Sequence, residues 1–337
     1  MKPERIETIA RTIAQTIAKF TMALSLVFTA LTAFAQGYPT KPVRIVTSSA
    51  VGTPGDIMLR FLAPKLGAAL GQPVVVDARP GAGGVIAATE VVRGASDGHT
   101  ILFSSNQLVA AKLLGAKQAI DVEKDLLPIN YPADALSFVL VHASLPVNNL
   151  RELVDYLKRN PGKVSFSTSG NGSALHFTGE AFKLATGTDM LHVAYSGATQ
   201  GTRLNDVFSG LHKLDWSSVP SFRGQMGTGK IKLLAVLDRT RFPVYPDVPA
   251  ITEFYPDYQF SSSYWLFFGP RELPQPIVSR LDTEITRGLK DPEIAKKLED
   301  IGVKLVGAGA KEAQELYQRD FEFTARLAKL AGLKPQQ

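Results

Sequence analysis

Val43-Arg-Ile-Val-Thr-Ser-Ser-Ala-Val-Gly-Thr-Pro-Gly-Asp56 decides the fold class of this chain. Val43–Thr47 is a β-branched run and reads as a short strand. A turn rich in glycine and hydroxyls follows, and Asp56–Leu70 then places its apolar residues at helical spacing. Val74–Asp77 supplies the next strand. The alternation continues along the chain. Thr100–Ser104, Phe138–His142, Val164–Thr168, Leu191–Tyr195, Leu214–Ser217, Ile231–Leu237 and Tyr264–Phe268 read as strands. Gly84–Arg93, Asn149–Asn160, Ala174–Thr186 and Gln200–Ser209 read as helices. Such alternation predicts α/β architecture with largely parallel sheets.

The tail reads as helical over Gln275–Lys290, Pro292–Ile301 and Ala310–Leu330, with Pro292 in a first turn after Asp291. About 300 residues beyond the leader exceed what one core usually covers, so two lobes are expected. No repeat and no Pro/Ser-rich linker interrupts the pattern. The lobes should therefore be joined by crossing strands, for which Phe138–His142 and Tyr264–Phe268 are the candidates.

The N-terminal stretch reads as an export signal. Lys2, Arg5, Arg11 and Lys19 precede an uncharged apolar run, Phe20–Ala35, that ends in Ala33-Phe34-Ala35, a small-x-small cleavage pattern. A membrane anchor is the alternative, but the run is about 16 residues and a span needs roughly 20. Residues 1–35 are thus expected to be a signal peptide cleaved near Ala35, giving a periplasmic protein. The chain has no cysteine, which excludes disulfides, thiolate metal sites, a cysteine nucleophile and a lipid-modified cysteine. Its net charge is +6; the leader holds four basic and two acidic residues, leaving +6 − 2 = +4. No basic block or aromatic-basic interleaving is present, so nucleic acid is not expected as a partner.

Enzyme motifs fail on inspection. Gly224-Gln-Met-Gly-Thr-Gly229-Lys230 imitates a phosphate loop, but Ile231 stands where a Ser or Thr is needed, and a strand follows instead of a helix. Gly81-Ala-Gly83-Gly84 imitates part of a dinucleotide fingerprint, whose third glycine is here Ile86. It still exposes N–H groups at a turn. The five histidines, His99, His142, His176, His192 and His212, show no zinc spacing. No metal, cofactor or catalytic residue is expected. A Ser-His-Asp site assembled across lobes stays open as the alternative.

Two segments have the chemistry of an anion cradle. In the first, Ser48, Gly52, Thr53 and Asp56 lie between a strand and a helix, with Asp56 placed to cap the helix it precedes. The second is Ser169, Gly170, Asn171, Gly172 and Ser173, between Val164–Thr168 and the helix through His176. Both would present unpaired N–H donors at a positive helix end. A charge-assisted hydrogen bond contributes about 1.5–3 kcal/mol and micromolar affinity needs about 8 kcal/mol, so roughly four such donors suffice without arginine.

The ordered motifs Leu70-Gly-Gln-Pro-Val-Val-Val-Asp-Ala-Arg-Pro-Gly-Ala-Gly-Gly84, Ser96-Asp-Gly-His-Thr-Ile-Leu102, Ser169-Gly-Asn-Gly-Ser-Ala-Leu-His176, His192-Val-Ala-Tyr195, Gly229-Lys-Ile-Lys-Leu-Leu-Ala235 and Tyr245-Pro-Asp-Val-Pro249 carry a resemblance. With them, nearly the whole chain after the leader is similar to the solute-binding proteins of tripartite tricarboxylate transporters, the Bug family. The resemblance implies an α/β, two-lobed periplasmic binding protein of type II-like fold, with two mixed sheets flanked by helices and joined by two crossing strands. Residues 36–138 and 264–337 would form one domain and 139–263 the other. It implies capture of a small organic carboxylate by the loop ending at Asp56, the turn with Gly83 and Gly84, and the Gly170–Ser173 turn. A monomer, delivering to membrane permease subunits or to a sensor, is expected. Departures concern the ligand's far end. The family's first loop usually has prolines where Ser48 and Val51 stand, the Pro-Tyr-Lys-Gly stretch is Ala194-Tyr195-Ser196-Gly197, and an expected acid is Ser217, beside Trp216. Tyr195, Trp216 and Ser217 would then shape that end, and Trp216 suggests an aromatic or otherwise bulky acid.

Overall fold

The computed structural model describes residues 37–115, 119–195, 200–258 and 263–333; the leader lies outside them. The chain opens with β1 (Val43–Thr47), α1 (Pro54–Leu70), β2 (Val74–Ala78), α2 (Val85–Val92), β3 (Thr100–Ser105), α3 (Gln107–Leu114) and β4 (Leu126–Ala135). Next come β5 (Phe138–His142), α4 (Leu150–Arg159), β6 (Ser165–Thr168), α5 (Ala174–Thr186) and β7 (Leu191–Ala194). They are followed by α6 (Gln200–Phe208), β8 (Leu214–Ser217), α7 (Val219–Phe222) and β9 (Ile231–Val236). The last elements are β10 (Ser263–Pro270), α8 (Gln275–Leu289), α9 (Pro292–Asp300), β11 (Val303–Ala308) and α10 (Ala310–Leu330).

These strands form two sheets, ordered β11-β4-β10-β3-β1-β2 and β7-β6-β8-β5-β9. The pairs β1–β2 and β1–β3 are parallel, as are β6–β7 and β6–β8. The remaining ladders are antiparallel. Both sheets are therefore mixed. The expectation of largely parallel sheets is corrected because β10 enters the first sheet between β3 and β4, and β5 enters the second between β8 and β9.

Each parallel part is a strand–helix–strand–helix–strand unit with the first strand in the middle: β2-β1-β3 in one sheet, β7-β6-β8 in the other. The unit is repeated in topology although no repeat is visible in sequence. In such an arrangement the chain leaves the middle strand once to each side, and a crevice opens at the strands' carboxyl ends.

Helices cover both faces of both sheets. On the first, α1, α8 and α9 bury Met58, Leu62, Leu66, Leu281, Ile285 and Leu298 with Val43 and Ile45. On its other face α2, α3 and α10 bury Ala87, Val91, Leu108 and Tyr317 with Val46 and Leu102. Ile45 and Val46 are adjacent and both 0% exposed, as expected of a strand covered on two sides. The second sheet packs α4 and α5 on one face and α6 and α7 on the other. The end of α10 joins that second core through Leu327 and Ala328, so this helix touches both halves.

Two strands, β4 and β11, and two helices, α3 and the four-residue α7, were not legible. β4 contains Pro128 and Pro132, which argue against an inner strand. Its register against β10 shifts twice, between Trp265 and Phe267 opposite Tyr131 and Pro132, and between Phe267 and Phe268 next to Pro128. β11 and α3 are six and eight residues long, too short for a periodic signature. Helix α1 starts at Pro54, not Asp56, with Thr53 as N-cap.

The chain passes between the sheets through Leu136 and Ser137. The Leu136 N–H donates to Gly302 O on the first-sheet side (3.1 Å), and Ser137 O accepts from Leu237 N–H on the second (2.8 Å). β5 follows this passage, and β5 and β10 each lie within one sheet. Lys304 of β11 meets Asp238 after β9 at 2.5 Å, an ion pair tying the halves beside the passage.

Candidate functional site

Both glycine turns follow the middle strand of a unit, so both sit at a switch-point crevice. After β1 the backbone folds back on itself: Thr53 N–H donates to Ala50 O and Thr53 Oγ1 to the same oxygen at 2.7 Å. Asp56 does not precede the helix as expected. It occupies the first turn and reaches back, accepting from Gly52 N–H (2.9 Å) and Arg60 Nε (2.9 Å). Burial opposes its charge, but Arg60 and the Gly52 N–H together hold the carboxyl below its ordinary range. The Trp265 indole closes this turn, since a Cβ on Gly55 would lie 2.7 Å from its Nε1.

The turn before α2 reaches the same crevice. Gly84 has φ +97°, and a Cβ there would stand 2.7 Å from Ser104 Oγ and 3.3 Å from Ser48 Cβ. Backbone thus comes down directly onto the carboxyl ends of β1 and β3. Ser48 Oγ and Ser104 Oγ are 2.7 Å apart. Ser104 was not among the expected residues, although a hydroxyl at the end of the strand beside the middle strand is where the crevice rule points.

In the second half, Gly170 N–H donates to Thr168 Oγ1 (3.2 Å) and Gly172 N–H to His176 Nδ1 (3.1 Å). Ser173 is the N-cap of α5, its Oγ accepting from His176 N–H at 3.3 Å. Among the described residues, no hydrogen bond engages the N–H of Ser169 or Asn171. The Ala174 and Leu175 N–H groups are first-turn donors without intrahelical partners. Behind the turn, His192 Nε2 meets Thr168 Oγ1 at 2.6 Å, and the His176 and His192 rings stack 3.8 Å apart. Because His176 Nδ1 accepts from Gly172, it carries no proton. Burial first, then His192 and Lys183, push this imidazole down to about 4.

Helix α3 brings the halves together. A Cβ on Gly83 would lie 2.8 Å from Ala111 Cβ, and one on Gly172, φ +72°, would lie 2.6 Å from Leu114 Cδ1. Ala111 and Leu114 are one turn apart on one helix face, about 4.5 Å of rise. The two turns therefore abut neighbouring positions of the same two-turn helix. Its side chains also enter the second core, where Ala110 and Leu114 pack.

Cations near the turns are already paired: Arg60 with Asp56, Lys112 with Asp121, Lys183 with Glu180, Arg203 with Asp215. What faces the crevice is a set of N–H groups, hydroxyls and helix ends, suited to an anion.

Of the expected far-end residues, Trp216 and Ser217 are buried in the body of the second half, and Tyr195 is half-buried just after β7. Trp216 is 1% exposed, its ring against Phe166 and Phe182. Ser217 Oγ donates to Asp215, which pairs with buried Arg203. Tyr195 OH donates to Asp206 at 2.5 Å and meets His212 Nε2 at 2.8 Å. Burial and then Asp206 raise this phenol to about 12. Trp265, not Trp216, is the tryptophan beside a turn.

Serine–histidine pairs exist elsewhere. Ser165 Oγ lies 3.0 Å from His212 Nδ1, but at the opposite end of β6 from the glycine turn, about 10 Å along the strand. Ser144 meets His142 at 2.8 Å on the surface. Among the described residues no serine–histidine–carboxylate chain reaches the turns, and no cluster of His, Asp or Glu could hold a metal.

Known proteins are similar to this chain in sequence and fold. The profile described as tripartite tricarboxylate transporter family receptor matches residues 58–333. A UPF0065 protein of Bordetella bronchiseptica is 31% identical over 332 residues, covering 98% of this chain and 96% of its own. The solved periplasmic binding protein BugD is similar with TM-score 0.69 and 29% identity, over 89% of this chain and 100% of that one. Rpa4515 of R. palustris, solved with adipate, is similar with TM-score 0.73 and 28% identity, over 89% and 100%.

Proposed function

The chain belongs to the tripartite tricarboxylate transporter family of receptors, and from that membership we propose that it captures a small organic carboxylate between its two halves without transforming it. The carrying observation is the convergence of the Gly83 turn of the first half and the Gly172 turn of the second on one face of α3, with Gly84 of the first lying over the carboxyl ends of the middle strand β1 and of β3. The first half contributes Ser48, Gly83 and Gly84; the second contributes Ser169 to Ser173 and the first-turn donors of α5. Gly52, Thr53 and Asp56 bond within their own loop and shape it. Trp216 and Ser217 are buried within the second half, so an aromatic ligand gains no argument from Trp216, while half-buried Tyr195 bonds to Asp206 and His212.

Residues 36–138 with 264–337, and 139–263, act in this reading as two lobes that close about the Leu136–Ser137 passage. Export with cleavage near Ala35, action as a monomer in the periplasm and delivery to permease subunits of a tripartite transporter complete it. BugD is a periplasmic binding protein and Rpa4515 was solved with adipate, which supports both the compartment and the ligand class. Among the described residues no helix is long and apolar enough to cross a membrane.

Thermal unfolding with a panel of carboxylic acids, adipate among them, tests the reading. A cognate acid at 100 times its dissociation constant stabilises by about 2.7 kcal/mol, a rise of roughly 5–10 °C. The acid should be recovered unchanged. A rise with neutral solutes and none with any acid sinks the proposal, and conversion of the acid would restore the hydrolase alternative.

A further inference from the structure

Ser104 lies at the end of β3 with 0% exposure, beneath Gly84, and its Oγ is 2.7 Å from that of half-buried Ser48. Geometry alone lets either hydroxyl donate. Burial distinguishes the two directions. If Ser48 gave its proton to Ser104, the Ser104 proton would need another acceptor, and among the described residues Ser104 Oγ has none beyond Ser48. A buried donor left without a partner is costly, more so than one that water can reach. If Ser104 donates instead, the buried proton is satisfied and the Ser48 proton is left to the half-open crevice.

We infer that Ser104 is a positioning residue, whose hydroxyl donates to Ser48 and so turns the Ser48 proton outward onto an oxygen of the ligand. This rests on the carboxylate reading and deepens it: the ligand group at the first-half switch point is an acceptor, a carboxylate or another carbonyl-type oxygen. An ammonium or amide N–H placed there would have to take the second lone pair of Ser48 Oγ and turn the Ser48 proton away from the ligand. The pair stands at the carboxyl ends of two adjacent parallel strands, Thr47 and Phe103 being paired in register immediately before it. Its geometry is therefore set by the ladder and not by a mobile loop.

The experiment is a cycle of Ser48→Ala, Ser104→Ala and the double variant, with Ser48→Thr as the conservative control. Without ligand, Ser48→Ala strands the buried Ser104 proton and should lower the melting temperature by about 2–10 °C. Adding Ser104→Ala should return most of that loss, and Ser104→Ala alone should cost less than Ser48→Ala. Titration with adipate, and with whichever acid of the panel raises the melting temperature most, gives the second readout. Ser48→Ala should weaken binding about 10- to 100-fold and Ser104→Ala about threefold, while Ser48→Thr retains binding. In the Ser48→Ala background, removing Ser104 should change affinity less than about twofold, because it acts through Ser48. Additive losses, or a larger thermal loss from Ser104→Ala than from Ser48→Ala, overturn the inference. If the unmodified protein binds no acid, the reading of the site falls and takes the ligand role of Ser48 with it, while the thermal cycle still decides which serine donates.

Discussion

Gly84 and Gly172 carry the same demand from opposite halves: a left-handed backbone with no room for a side chain. Gly84→Ala forces a Cβ to 2.7 Å from Ser104 Oγ at φ +97°. Strain plus displacement of the turn should cost about 1–3 kcal/mol of stability and weaken ligand binding at least tenfold, read by calorimetry. His176 gives a pH-dependent prediction. Its ordinary value is 6.5 and the fold lowers it to about 4. The unfolded chain therefore takes up this proton first as pH falls. The contribution to stability is complete above 6.5 and is lost as pH drops from 6.5 through 4. His176→Asn keeps an acceptor for Gly172 N–H and does not titrate, so its melting temperature should lose less over that window than the unmodified protein's. Equal slopes would refute the assignment. The glycine turns were legible because glycine and hydroxyl residues between a strand and a helix have few other uses, whereas the role of Ser173 as N-cap came from the structure. Ser104 and Trp265 were not, since a buried serine and a strand tryptophan look alike in any α/β sequence.

At the level of elements, β8 and α6 are held by a buried charge pair. Arg203 and Asp215 are 3% and 0% exposed, with the Ser167 and Ser217 hydroxyls bonded to them. Arg203→Met leaves Asp215 buried without its cation, a loss of about 3–5 kcal/mol by denaturant unfolding. Combining it with Asp215→Leu should recover much of that loss. If the double variant is no better than the single, the pair is not what positions α6. The strands of the parallel units were readable because β-branched runs alternate with amphipathic helices. β4 hid behind its prolines, and α3 behind its length. The site suffered most from the second omission, because α3 is the surface on which the two turns meet.

Across the whole molecule, two sheets followed from chain length and alternation, and their mixed character from the family resemblance. The repeated strand order did not, because topology leaves no trace in sequence once the side chains have diverged. Yet that repeat places the two loops chosen for their glycine chemistry alike: each follows the middle strand of its unit and so lies at that strand's carboxyl end. A crystal structure with the cognate acid bound tests this most directly. The prediction is one carboxylate ligand beside α3, its oxygens about 2.7–3.2 Å from donors of both the Ser48–Gly84 side and the Ser169–Leu175 side. An acid held by one turn alone, or lodged in the open groove of about 800 Å³ between Arg60 and Val76 on the first half, would contradict it.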